Sequence, residues 1–226
     1  MSLQKSKTDA ILGNRVHGYL LSIGMATPVV SEKLSAADED KIRVIQKNVT
    51  EIMEVLGLDL SDDSLIDTPK RVAKMYVTEK FWGLKPENFP KCTVIENKMK
   101  YNEMVIENNI RVLSDCEHHL VQIDGFANVA YIPKNKVLGL SKLNRIVEYF
   151  SRRPQVQERL TQQIGEALKF ILETDDVAVS VNARHYCVIS RGVEDQGSFT
   201  VTNYLSGCFE QPEVRKEFFD SIHISR

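Results

Sequence analysis

Two short segments concentrate the side chains best suited to hold a metal and move protons. Cys116-Glu117-His118-His119 and His185-Tyr186-Cys187 carry two of the four cysteines and three of the five histidines. Thiolates and imidazoles gathered in this way suit a transition metal, zinc first among them. Cys116 and His119 stand three apart, so one turn of chain can aim both at one ion. Cys187 would close the set from a distant element. Three protein ligands leave a position open for water, the arrangement of a catalytic rather than a structural zinc. His118 and His185 remain beside the ligands as imidazoles that titrate near neutral pH. Two other readings of these residues stand alongside: cysteines and histidines that simply fill a core, and a redox disulfide between Cys116 and Cys187, which a reducing cytosol disfavours.

The elements that must position these groups can be read from periodicity. From Val177 to Ser190 apolar and polar residues alternate. Period two predicts a strand on which His185 and Cys187 share a face. Residues 92–132 also read as extended, with a turn near Asp124-Gly125. Helical spacing runs from Asp38 to Leu58, with Gly57 at its C-terminal end. Thr68-Pro69 reads as a helix start, with that helix reaching about Trp82. Ser141 is expected to cap a helix to Phe150, and Pro154 to open a longer one ending near Glu173. A strand over 199–205 and a helix from Pro212 to Ile222 follow. Residues 1–35 are mixed, with one short helix and a loop around Pro28. Hairpin-like strands before and after a helical pair predict an antiparallel α+β layer, not alternating βαβ units.

Anion-binding groups form a second set. A helix starting at Ser141 would leave free N–H groups at its positive end, with Lys142 and Arg145 on one face. Arg191, just beyond the Cys187 strand, adds a third cation. A solvated basic face is the plainer reading of these residues. Gln157-Glu158 sits in a first helical turn, where a carboxylate can accept two parallel N–H donors such as a guanine edge offers. An acid favoured by the helix dipole is again the commoner explanation. There is no G-x-x-x-x-G-K-[ST] stretch, so no P-loop holds a nucleotide.

The bulk properties narrow the class. The chain has 226 residues, 42% hydrophobic and 27% charged, enough for a substantial core. A net charge of -2 carries no nucleic-acid signature. No apolar run is long enough to span a membrane. Four scattered cysteines do not form a secreted disulfide framework, and no secretory signal is evident, so a soluble cytoplasmic protein is expected.

Taken in order, several blocks resemble the GTP cyclohydrolase I family. They are Thr68-Pro69-Lys70-Arg71-Val72-Ala73, Cys116-Glu117-His118-His119, Gly139-Leu140-Ser141-Lys142 with Arg145-Ile146-Val147, the run from Arg153 to Thr161, His185-Tyr186-Cys187, and Arg191-Gly192-Val193. The resemblance covers roughly residue 37 to the C-terminus. It implies a tunnelling (T-) fold: an antiparallel sheet with a helical pair on one face, preceded by a helical N-terminal region. The expected divisions are 1–36, 37–90 and a catalytic 91–226. It implies a homodecamer of two pentamers with active sites between subunits. It also implies hydrolysis of GTP to 7,8-dihydroneopterin triphosphate and formate, the entry to pterin and folate synthesis. Zn2+ would sit on Cys116, His119 and Cys187. His118 and His185 would act as acid and base, with Ser141 as a proton relay. Glu158 and Gln157 would hold the guanine edge. Lys142, Arg145, Arg191 and a neighbouring subunit's Arg71 would hold the triphosphate. The stretch 197–203 departs from the family pattern at Phe199 and Asn203, and Cys92 and Cys208 match no site. Two rival readings are another tunnelling-fold enzyme acting on a different purine or pterin, and a zinc-stabilised paralogue that binds nucleotide or pterin without turnover.

Overall fold

The computed structural model describes residues 3–222, so residues 1–2 and 223–226 of the expected divisions lie outside the described residues. In chain order the helices are α1 (Ala10–Ser22), α2 (Ser31–Leu34), α3 (Asp38–Val55), α4 (Thr68–Lys74), α5 (Leu140–Ser151), α6 (Gln157–Leu172), α7 (Tyr186–Ile189) and α8 (Pro212–Ser221). The strands are β1 (Val94–Glu96), β2 (Val105–Cys116), β3 (Gln122–Tyr131), β4 (Lys136–Leu138), β5 (Pro154–Gln155), β6 (Val177–His185) and β7 (Thr200–Leu205). The main sheet has the order β5-β2-β3-β6-β7. Its long pairings are antiparallel, and the two-residue β5 adds a parallel edge to β2. β1 and β4 form a separate antiparallel pair. The class is α+β, as the grouping of strands around a helical pair predicts.

One irregularity decides which side of the sheet β2 presents. Its register against β3 slips by one residue between Glu107 and Ile110, where Asn109 takes φ +57. The Asn128 side chain accepts the freed Asn109 N–H at 3.0 Å. Before this bulge Ile106 pairs with Ala130 and packs under α8, beside Phe209 and Phe218. Beyond it Ile110 and Val112 join the cluster under α5 and α6, with Val129, Val181, Leu143, Ile146, Leu160 and Ile164. Because side chains alternate with period two, the extra residue swaps the faces of everything after it. Ser114 and Cys116 therefore point to the helical side, in line with Ile123 and His185.

Four expectations from the sequence need correction. Asp124-Gly125 is not a turn but lies within β3. A Cβ at Gly125 would come within 2.1 Å of the Asn182 carbonyl, so the glycine serves close strand approach. Ser141 is not a cap: Gly139 holds that position and no side chain caps α5. Pro154 does not open α6; it pairs with Asp115 in β5, and the helix starts at Gln157. The strand does not run to Ser190. It ends at His185, and the chain then closes a helical turn, Tyr186–Ile189. The other boundaries hold closely. Gly57 (φ +81) ends α3 with paired bonds, Leu58 N–H to Met53 O and Gly57 N–H to Glu54 O, which satisfy carbonyls left free by the last turn. α4 continues as a π-helical stretch, Met75–Lys80.

The N-terminal elements are tied to the sheet layer by two polar anchors. Tyr19 on α1 and Tyr204 on β7 both donate to the Glu166 carboxylate, at 2.6 and 2.7 Å. That hydrogen bond, with burial and the carboxylate's charge behind it, pushes the Tyr19 phenol up to about 12. Arg153 is buried, stacked 4.6 Å from the Tyr149 ring centroid and 4.9 Å from that of Phe150. It donates to the Gly83 carbonyl and to Thr27 Oγ1. Arg153→Ala is expected to lose both bonds and the stacking and to leave a void, costing about 3 kcal/mol. Urea unfolding with an unchanged slope and a lower midpoint would show it; an unchanged midpoint would refute it.

Candidate metal centre

β2 delivers Cys116 to the end of the sheet, and the hairpin loop to β3 carries the next candidate residues. The loop is closed by Leu120 N–H to Cys116 O and Cys116 N–H to Val121 O, both 2.8 Å, with Leu120 at φ +52. It is clamped from α6 by an Arg159–Glu117 ion pair and from β5 by a Glu117 N–H to Gln155 O bond at 3.0 Å. Gln155 is itself fixed, donating to Phe150 O and Gln163 Oε1 at 2.9 Å. Lys80 pairs with the buried Asp115 just before the site. Sequence reasoning passed over Arg159, Gln155 and Lys80. Their signal was only proximity to the motif, since pairing across 35 or 42 residues is set by the fold.

The ligand atoms of Cys116, His119 and Cys187 all lie within 4.8 Å of one another. Cys187 reaches them from the helical turn α7, two residues past the end of the strand. Cys116 Sγ is 3.5 Å from His118 Nδ1 and 4.0 Å from His119 Nδ1. Arg191 Nη1 lies 3.1 Å from His119 Nε2. Burial and the neighbouring Cys116 thiol push the Cys187 thiol up. Two thiols and an imidazole converging this closely fit a soft divalent ion, which would draw the sulfurs to thiolate. Among the described residues all four cysteines are free, so no disulfide joins Cys116 and Cys187.

His185 stands at the end of β6, its Nε2 2.7 Å from Gln157 Oε1. Burial lowers its pKa, and the Glu158 carboxylate opposes that shift. This corner of one chain therefore collects Cys116, His118, His119, His185, Cys187, Arg191, Gln157 and Glu158.

The remaining expected site residues lie elsewhere. The C-terminal end of α5 adjoins the metal corner through Arg153 O, which accepts from Ser114 Oγ. Its N-terminal end, with Ser141 and Lys142, starts beside Thr93 and Leu138, and Arg145 lies midway along the helix. Leu138 bonds to the Tyr131 hydroxyl, at the end of β3 farthest from the loop. Twelve residues of helix separate the two ends by about 18 Å. Ser141 and Arg145 line a cavity of about 580 Å³ that extends along α5 to Ser151 and Arg152. Arg71 is exposed on α4, 3.6 Å from Asp67.

Fold and site together define an α+β protein with a three-ligand candidate transition-metal centre, flanked by two further imidazoles and a guanidinium. The family model for GTP cyclohydrolase I matches residues 45–223. GTP cyclohydrolase 1 of Yersinia enterocolitica is 55% identical over 208 residues, covering 92% of this chain and 94% of its own. That of Photobacterium profundum is 57% identical over 208 residues, covering 92% and 95%. The chain belongs to the GTP cyclohydrolase I family, a family of enzymes.

Proposed function

We propose that this enzyme opens the imidazole ring of GTP hydrolytically and releases formate, leaving 7,8-dihydroneopterin triphosphate. The observation that carries the reading is the convergence of Cys116, His119 and Cys187 with His118 and His185 beside them. Zn2+ is the proposed ion; when bound it makes a water nucleophilic near neutral pH. His118 protonates the ring nitrogen N7 as C8 is attacked, and His185 serves as the second acid/base. Glu158 accepts the N–H donors of the guanine edge. Arg191 meets the triphosphate from the same chain.

Ser141, Lys142 and Arg145 act from a second copy of the chain, a reading supported by the place of Ser141 and Lys142 at the far end of α5. There Ser141 relays a proton during ribose rearrangement, and the two cations, with Arg71 of a further copy, complete the triphosphate site. This supports an oligomer with shared sites, which we read as a tunnelling-fold homodecamer of two pentamers. The exposed Ile52, Val55 and Leu56 of the α3 end are in keeping with burial against another copy. We divide the chain into a leading segment 1–36, a helical region 37–90 and the catalytic layer 91–226. Free cysteines and the absence of any long apolar helix among the described residues suit a cytoplasmic enzyme.

The test is to incubate zinc-loaded protein with GTP and measure formate together with the pterin fluorescence that follows oxidation. Both products are expected, in equal amounts. Formate alone would mean that the ring opens but the ribose fails to rearrange. Neither product, at one zinc per chain, would favour a nucleotide- or pterin-binding protein without turnover.

A further inference from the structure

Gln157 is 98% buried against the end of the β6–β7 ladder, with every polar atom of its side chain in use. Its Nε2 lies 3.1 Å from Val181 O, 2.9 Å from Thr200 O and 3.1 Å from Thr202 Oγ1. Two of these partners are carbonyl oxygens, which can only accept, so the amide nitrogen must face them. The reversed amide would set its oxygen against both carbonyls. The hydroxyls agree with this orientation. Thr161 Oγ1 donates to Gln157 O at 2.8 Å. Thr202 therefore donates to Thr161 at 2.6 Å, leaving a lone pair for Gln157 Nε2. With the amide held this way, Oε1 faces His185 Nε2 at 2.7 Å. An amide oxygen can only accept, so the proton of that bond belongs to His185 Nε2.

We infer that Gln157 is a positioning residue that holds the neutral His185 ring in its Nε2–H tautomer, in place of the guanine-edge role that the family resemblance implies. Glu158 is left as the side chain of the pair that reads the base. Thr202 belongs to the same support, although it sits in the stretch 197–203 that departs from the family pattern. The inference rests on the proposed acid/base role of His185 for its effect on turnover. It does not rest on that role for the tautomer itself.

The test has two parts on the zinc-loaded full chain. Solid-state 15N NMR of ring-labelled histidine at about pH 8, where imidazole is neutral, should show His185 protonated at Nε2, its signal identified by loss in His185→Ala. A wild-type His185 protonated at Nδ1 would overturn the inference even if no Gln157 variant folds. Gln157→Met, close in size but without the amide, should lower kcat about 10- to 100-fold and leave KM for GTP within about three-fold. A raised KM with kcat unchanged would return Gln157 to the guanine edge and refute positioning. If His185→Ala keeps wild-type turnover while the Nε2–H signal is present, the acid/base role fails and the tautomer assignment stands.

Discussion

Cys187→Ser should cost the protein its metal and its turnover together. Cys116 and His119 come from one hairpin loop, and Cys187 is the candidate ligand that joins them from β6 through the turn α7. Serine removes the soft sulfur donor and leaves only the two candidate ligands of the hairpin loop. Losing an outer-shell partner alone weakens metal binding about 10- to 100-fold, so losing a direct ligand should exceed about 100-fold. The zinc content per chain after gel filtration should fall from one to near zero, and formate release from GTP should fall with it. Full zinc occupancy in Cys187→Ser would remove this residue from the ligand set. The same measurement on Cys208→Ser provides a control, since that thiol lies away from the centre and packs under α8 with Phe209 and Phe218.

His118→Ala should separate chemistry from metal. The imidazole sits 3.5 Å from the Cys116 sulfur, yet the three converging ligand atoms do not include it. Zinc content and GTP binding should therefore stay near wild type. Turnover should fall about 100- to 10,000-fold, the usual contribution of a positioned general acid or base. Formate release at saturating GTP reads the loss directly, and the metal content of the same sample guards against a trivial explanation. A variant that turns over normally would exclude His118 as the acid. A variant that loses zinc would make it a ligand instead.

Much of this site was legible because its chemistry is carried by residue type within short segments. A Cys-x-x-His turn states its donors locally, and alternation over 177–185 states a strand whichever partner it finds. Long helices announced themselves equally well: α3, α6 and α8 lie within a few residues of their expected bounds, because apolar residues recur along them every three or four positions. The errors came where two local signals competed. Asp124-Gly125 has the composition of a turn, but close approach of β3 to β6 uses the glycine instead. Pro154 has the look of a helix start, but a parallel bridge to Asp115 claims it. Alternation past His185 suggested more strand, although four residues there fold into a helical turn.

By itself the sequence named the candidate donor set, the neighbouring imidazoles and the candidate cations, since these are properties of side chains and need no partner to be named. It also determined the α+β class through the order of its periodic segments. Only the tertiary structure decided how those groups meet. The one-residue bulge before Ile110 turns Cys116 to the helical face, a swap that depends on pairing with β3 and leaves no mark in the alternation of β2 alone. The turn α7 brings Cys187 back to the loop. The carbonyls of two separate strands orient the Gln157 amide. The length of α5 carries Ser141 and Lys142 away from the metal corner of their own chain, because distance in a fold follows the rigid elements and not the spacing of motifs.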